Sequence, residues 1–176
     1  MGVSDEYVNK AKAELGDLAD AGVVMSGNAF SPVLLVKGEP EEAGVKLLAG
    51  PDGDALRAAL GALGYAPEEW AALSVRDTEG FPLVPGTLRL AIATLDPATV
   101  IALDAPAASA ICEAFADKLV ELESLEAATL APGYVVRLLG MRVLALGGFE
   151  QSLADAKAKQ VMWARLKQVP PLGEPY

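Results

Sequence analysis

Two carboxylates flank a proline in the run Gly38-Glu39-Pro40-Glu41. A carboxylate held beside a substrate can position a water molecule or take its proton, so Glu39 and Glu41 are candidate catalytic bases. Further along, Gly147-Gly148-Phe149-Glu150 follows an apolar run. Paired glycines can turn backbone N–H groups toward an anion, a phenylalanine can stack on a base, and Glu150 adds another acid. Each group also has a plainer reading: solvated loop acids, a strand-to-loop turn, a packed ring, a helix cap. What the chain lacks narrows the chemistry. It has no histidine, so Ser74 has no imidazole to activate it, which argues against a serine hydrolase. Cys112 is its only cysteine. It can form no intrachain disulfide and cannot by itself hold an iron–sulfur cluster. A structural zinc site is not expected either, and neither is any other metal or cofactor. Cys112 lies beside Ile111 and reads as inert core packing.

The 176 residues suit one domain, expected over 1–169 with a tail at 170–176. A chain of this size can remove roughly 70% of its unfolded surface from water. Its apolar runs are short and broken by Gly, Pro or charge, so none approaches the roughly 20 residues of a membrane span. Residues 1–14 are charged and lack the apolar stretch of a signal peptide. A cytoplasmic protein without membrane contact is expected. The net charge of −10 leaves few cations for phosphate. The densest basic cluster, Lys157, Lys159, Arg165 and Lys167, reads as a solvated helix face. An acidic surface suggests a basic partner, or simply solubility.

The elements that must position these residues alternate. A helix is expected over 5–21, with Ser4 as cap and Gly22 as its end. A short extended piece follows at 23–25, then a turn at Ser26-Gly27-Asn28. Val33-Leu34-Leu35-Val36 is wholly apolar, as in a strand buried on both faces. Residues 37–51 read as a loop. A helix at 54–63 presents Leu56, Leu60 and Leu63 on one face, with Asp52 or Asp54 as cap. A strand at 70–75, a helix at 87–95 and a strand at 99–103 follow. Asp104 caps one long helix whose stripe is Ala108, Ile111, Phe115, Leu119 and Leu122. Strands at 134–138 and 141–146 join at Leu139-Gly140, and a last helix covers 153–168. This alternation predicts an α/β fold with a mainly parallel central sheet.

Residues 141–167 read MRVLALGGFEQSLADAKAKQVMWARLK. They resemble the closing motif of the uracil-DNA glycosylase superfamily, in which a strand enters a histidine-proline-serine loop and then a helix holding Lys and Trp. Aligned on Val143-Leu144, the family's histidine falls on Gly148, its lysine on Lys159 and its tryptophan on Trp163. The stretch Pro97-Ala98-Thr99-Val100-Ile101-Ala102-Leu103-Asp104 is similar to a P-x-V-I-V-A-L-G strand of the family-4-like branch. Gly38-Glu39-Pro40 matches a piece of that branch's first active-site loop, and the spacing Gly50…Gly53 matches the G-x-A-G of the segment that follows it. The resemblance implies a three-layer α/β/α sheet domain. It implies ligand-pocket positions at Gly38, Leu48, Ser74, Gly148, Phe149 and Glu150.

The departures fall at those positions. Gly148, Phe149 and Glu150 replace the histidine, proline and serine. Leu48 stands where the resemblance implies an aromatic that stacks on the base, and Ser74 where it implies an asparagine that reads the uracil edge. The branch's four cluster cysteines are absent. The expectation is a glycosylase-like protein silent in uracil excision and acting as a binding or regulatory module. The alternative is a divergent DNA-repair glycosylase or hydrolase acting on a damaged base or nucleoside, with Glu39 or Glu41 positioning water. Candidate partners are weakly held DNA, a nucleobase or nucleoside, and another protein.

Overall fold

The run Val33-Leu34-Leu35-Val36 offers no polar face to water, so a strand built from it must be covered on both sides. In the computed structural model, which describes residues 3–41 and 46–170 and only the backbone over 3–11, it becomes the central strand β2 (Val33–Lys37), buried along its whole length. β2 pairs in parallel with β3 (Trp70–Asp77) on one side and with β4 (Thr99–Ala102) on the other. β6 (Met141–Ala145) continues the parallel sheet beyond β4. Two antiparallel strands close the edges, β1 (Val23–Gly27) on β3 and β5 (Val135–Leu138) on β6. The spatial order is β1-β3-β2-β4-β6-β5. The expected α/β class and the mainly parallel sheet are both present.

Alternation along the strands sends side chains into two cores. Leu34, Val36, Val100, Ala102 and Val143 face one way. They meet Leu18 of α1 (Val3–Asp20), Leu88 and Ile92 of α3 (Pro85–Leu95), and Ile111 of α4 (Ala105–Ala114). Val33, Leu35, Ile101 and Leu144 face the other way. They meet Leu56 and Leu60 of α2 (Pro51–Ala62), and Met162 and Leu166 of α8 (Ala156–Leu166). A helical layer therefore covers each face of the sheet. Full burial of each such aliphatic side chain contributes about 1.5–3 kcal/mol. No helix among the described residues is long and apolar enough to cross a membrane.

Several boundaries differ from the periodicity-based expectation. The single helix expected after Asp104 breaks at Phe115, whose φ of −118° and ψ of 24° lie outside helical geometry. Its ring is buried in the first core, with the Arg89 guanidinium 5.0 Å from the ring centroid. Packing at this residue overrides the helical repeat, and the chain resumes as α5 (Ala116–Leu119) and then α6 (Leu125–Ala128). The last helix starts at Ala156 rather than 153, because Asp155 caps it by accepting from the Ala158 N–H. A separate turn of helix, α7 (Phe149–Ser152), forms where a loop is expected. Ser26 and Gly27 belong to β1 rather than to a turn. Ser4 lies inside α1, not at its cap. Neither Asp52 nor Asp54 caps α2: Gly50 takes that position, with Pro51 following. Leu139 and Gly140 form the expected two-residue hairpin turn, both at positive φ, 50° and 82°. Glu42, the end of the acidic run, and the tail beyond Pro170 lie outside the described residues.

α2 contains two glycines with opposite roles. A Cβ on Gly53 would sit 1.7 Å from the Leu48 carbonyl oxygen, so only glycine lets the helix start against the preceding loop. A Cβ on Gly61 would meet nothing within 4 Å. In urea unfolding, Gly53→Ala is therefore expected to destabilise by about 1–3 kcal/mol. Gly61→Ala is expected to stabilise by about 0.5–1 kcal/mol through the helix propensity gained.

Candidate functional site

Parallel strands all end on the same side of the sheet. Where successive strands lie on opposite sides of a starting strand, the loops leave in opposite directions and open a crevice. That point here is β2. The chain leaves it at Lys37 toward β3 on one side, while β4 lies on the other and runs into Leu103 and Asp104.

Lys37 is the feature the sequence reading missed. Its side chain is only 5% exposed. Removing an ammonium from water costs several kcal/mol unless acids answer it. Asp52 Oδ2 and Glu41 Oε1 each lie 2.8 Å from its Nζ, and Glu150 Oε2 lies 3.9 Å away. Burial alone pushes the Lys37 pKa down. The hydrogen bonds and charges of Asp52 and Glu41 outweigh that, and together they hold the ammonium above its ordinary value of 10.5.

Asp104 does equivalent work with backbone donors. Its carboxylate accepts from the N–H groups of Gly38 (3.0 and 3.1 Å), Glu39 (3.0 Å) and Ala107 (2.9 Å). It thus caps α4, as expected, and also clamps the loop after β2 onto that helix. The approach is so close that a Cβ on Gly38 would lie 2.3 Å from the Ala107 nitrogen. Arg76 Nε donates to the Gly38 carbonyl at 2.9 Å, holding it from the other side.

Of the other residues expected at a pocket, Phe149 and Glu150 line the crevice between these carboxylate networks, Leu48 and Ser74 do not, and Gly148 lines a separate cavity of about 340 Å³ beside α8. Leu48 is fully buried in a left-handed conformation, φ 59°, which for a branched side chain costs on the order of 1 kcal/mol. It is held there by its N–H donating to Glu41 Oε1 at 3.0 Å and its carbonyl accepting from Arg57 at 3.2 Å. Gly148 turns the chain at φ 89° and starts α7. Phe149 drops into the second core, 4% exposed, with its N–H donating to the Leu103 carbonyl. Ser74 lies within β3, level with Lys37 across the sheet, and its hydroxyl accepts from the Arg76 N–H. Glu39, Phe149 and Glu150 converge with Lys37, Asp52 and Asp104 on one crevice. Its volume is about 10 Å³, room for about one water molecule.

Two sequence signals pointed to the missed Lys37–Asp52 pair. A cation ends the wholly apolar β2 run, and Asp52 lies four residues before Leu56 and eight before Leu60. That spacing puts Asp52 on the buried stripe of α2. Glu41, read as a candidate base, has one carboxylate oxygen shared between Lys37 and the Leu48 N–H. Of the basic cluster, Lys157, Lys159 and Lys167 are exposed, whereas Arg165 donates to the Leu146 carbonyl. Trp163 is half-buried against the second core, with Lys167 5.7 Å from its ring centroid. Cys112 packs partly buried against the first core, and burial pushes its thiol pKa up. Among the described residues, no group of three or more acids or thiols is set to hold a metal ion. No protein-family model matches the chain, and no curated protein matches it.

Lys37→Met leaves Asp52 and Glu41 facing each other without a cation. It is expected to cost about 3–5 kcal/mol in urea unfolding at neutral pH. The pH dependence has a defined sign. The folded pKa of Lys37 is raised, so its contribution is complete below the unfolded value near 10.5 and is lost as pH rises through the folded value. The stability difference between wild type and Lys37→Met should stay constant from pH 7 to about 10 and shrink above that.

Proposed function

We propose that this chain is a uracil-DNA glycosylase-like protein, silent in uracil excision, that serves as a binding or regulatory module. The observation that carries the reading is the crevice at the end of β2, which among the described residues has room for about one water molecule. Excising a base from DNA requires gripping the flipped base, stabilising charge that develops on it, and placing a water. Space for about one water does not admit a pyrimidine. Leu48, at the position the resemblance gives to a stacking aromatic, is buried and has no ring. Phe149, the one aromatic lining the crevice, is committed to the second core. Gly148 offers no side chain where the resemblance implies a histidine, and loss of one such donor typically lowers the rate by about 10²–10³. The backbone N–H groups of Gly38 and Glu39, the natural donors to an anion at this strand end, already serve Asp104.

A second reading keeps one observation in its favour. Glu39 lines the crevice beside the room for a water, as a divergent hydrolase of a damaged base or nucleoside would need. Glu41 suits that role poorly, since Lys37 and the Leu48 N–H hold it.

A uracil-release assay on single- and double-stranded oligonucleotides tests the first reading, and a screen of deaminated-base oligonucleotides and free nucleosides tests the second. The expected result is no release above the protein-free control. Turnover would overturn the silent reading, and its loss in Glu39→Gln would move the assignment to the hydrolase. DNA affinity is expected to be micromolar or weaker at about 0.15 M salt, given the few exposed cations. Nanomolar binding to uracil-containing DNA would contradict it.

A further inference from the structure

α3 breaks the usual pattern of a surface helix, which turns charged residues toward water. Its exposed positions are Pro85, Gly86, Leu90 and Ala93, and none is charged. Leu90 is 54% exposed, and Val84, just before the helix, is 65% exposed. The helix has one charged residue, Arg89. That residue is engaged with its own fold, 2.6 Å from Asp117 and stacked over Phe115. A groove runs along each side of the helix. One, about 170 Å³, lies between α1 and α3 and is lined by Leu18, Ala21 and Leu90 together with Glu14 and Asp17. The other, about 190 Å³, is lined by Ile92, Ala93, Phe115, the exposed Leu139 and Asp96, together with Arg89, whose charge Asp117 answers.

We infer that this face of α3 is a docking surface for an amphipathic helix of a partner protein, apolar on one side and basic along its flanks. The uncharged stripe of α3 and the two grooves beside it match the ridge-and-groove packing by which such a helix is received. Charge selects the occupant. Glu14 and Asp17 on one side and Asp96 on the other would meet lysines or arginines of the incoming helix. A second copy of this chain would set acids against acids on a molecule of net charge −10, and an anionic membrane surface would be repelled in the same way. The inference stands independently of the glycosylase-like reading, because the crevice and this face use different residues.

The test uses a synthetic Leu/Lys peptide of about 18 residues, long enough to form a helix, with leucines at i, i+3, i+4 and i+7. A Leu/Glu peptide with the same apolar face is its control. Binding to the full chain is read by fluorescence anisotropy at about 0.15 M salt. The Leu/Lys peptide is expected to bind saturably, and Leu90→Lys to weaken it at least about tenfold. The pair Glu14→Gln and Asp17→Asn is expected to weaken it a few-fold and to flatten its salt dependence. Val161→Lys is the control at another exposed apolar position, on α8 across the sheet, and is expected to change nothing. Circular dichroism establishes that each variant is folded. Equal effects of Leu90→Lys and Val161→Lys, or equal binding of the Leu/Glu peptide, would overturn the inference. So would a sedimenting dimer that Leu90→Lys dissociates, which would make the face a self-interface.

Discussion

The ammonium of Lys37, taken out of water at the carboxyl end of the central strand, is the constraint on which this end of the molecule is built. A buried cation needs acids at close range, and no single neighbouring segment supplies them. Asp52 comes from the first turn of α2, Glu41 from the loop after β2, and Glu150 approaches from α7. Meeting that requirement explains why Asp52 points inward instead of capping its helix, and why Glu41 is placed to hold Leu48 in a left-handed turn. Asp104 answers a parallel requirement. Its carboxylate gathers N–H groups from the β2 loop and from the start of α4, so the two segments approach until only glycine fits at position 38.

The result is a polar end of the sheet that satisfies itself. Among the described residues, no buried side-chain nitrogen or oxygen lacks a hydrogen-bond partner. A crevice at this point of an α/β sheet is the usual place for a ligand. A ligand would have to displace internal partners that are already close and well aligned, leaving buried charge unpaired. Phe149 adds an apolar plug, inserted where the chain turns at Gly148. These features together fill the crevice at the end of β2 with the chain's own side chains.

How much of this was legible in the sequence depends on the range of the interaction. β2 was readable because four consecutive apolar residues fit a strand buried on both sides. The hairpin was readable because Leu139-Gly140 is a two-residue connection between strand-like runs. The Asp104 cap was readable because it is local. The break at Phe115 was not, since the helical repeat runs through it and only packing against Arg89 and the first core decides otherwise. The candidate residues Glu39, Phe149 and Glu150 do converge. What organises them, Lys37 with Asp52 and Gly38 with Asp104, joins positions 15 and 66 residues apart; local pattern can mark a partner as buried but does not say which residue it meets at that separation.

The filled crevice is tested most directly by nuclear magnetic resonance of the isotope-labelled chain titrated with deoxyuridine. The backbone amides of Gly38, Glu39 and Phe149 and the Lys37 side-chain ammonium report on the crevice from different sides. Internal occupation predicts that none of these signals moves as deoxyuridine is raised to millimolar levels, about the concentration that weak binding requires. A saturable shift of these signals together would contradict it, because it would mean that the crevice opens and accepts a nucleoside.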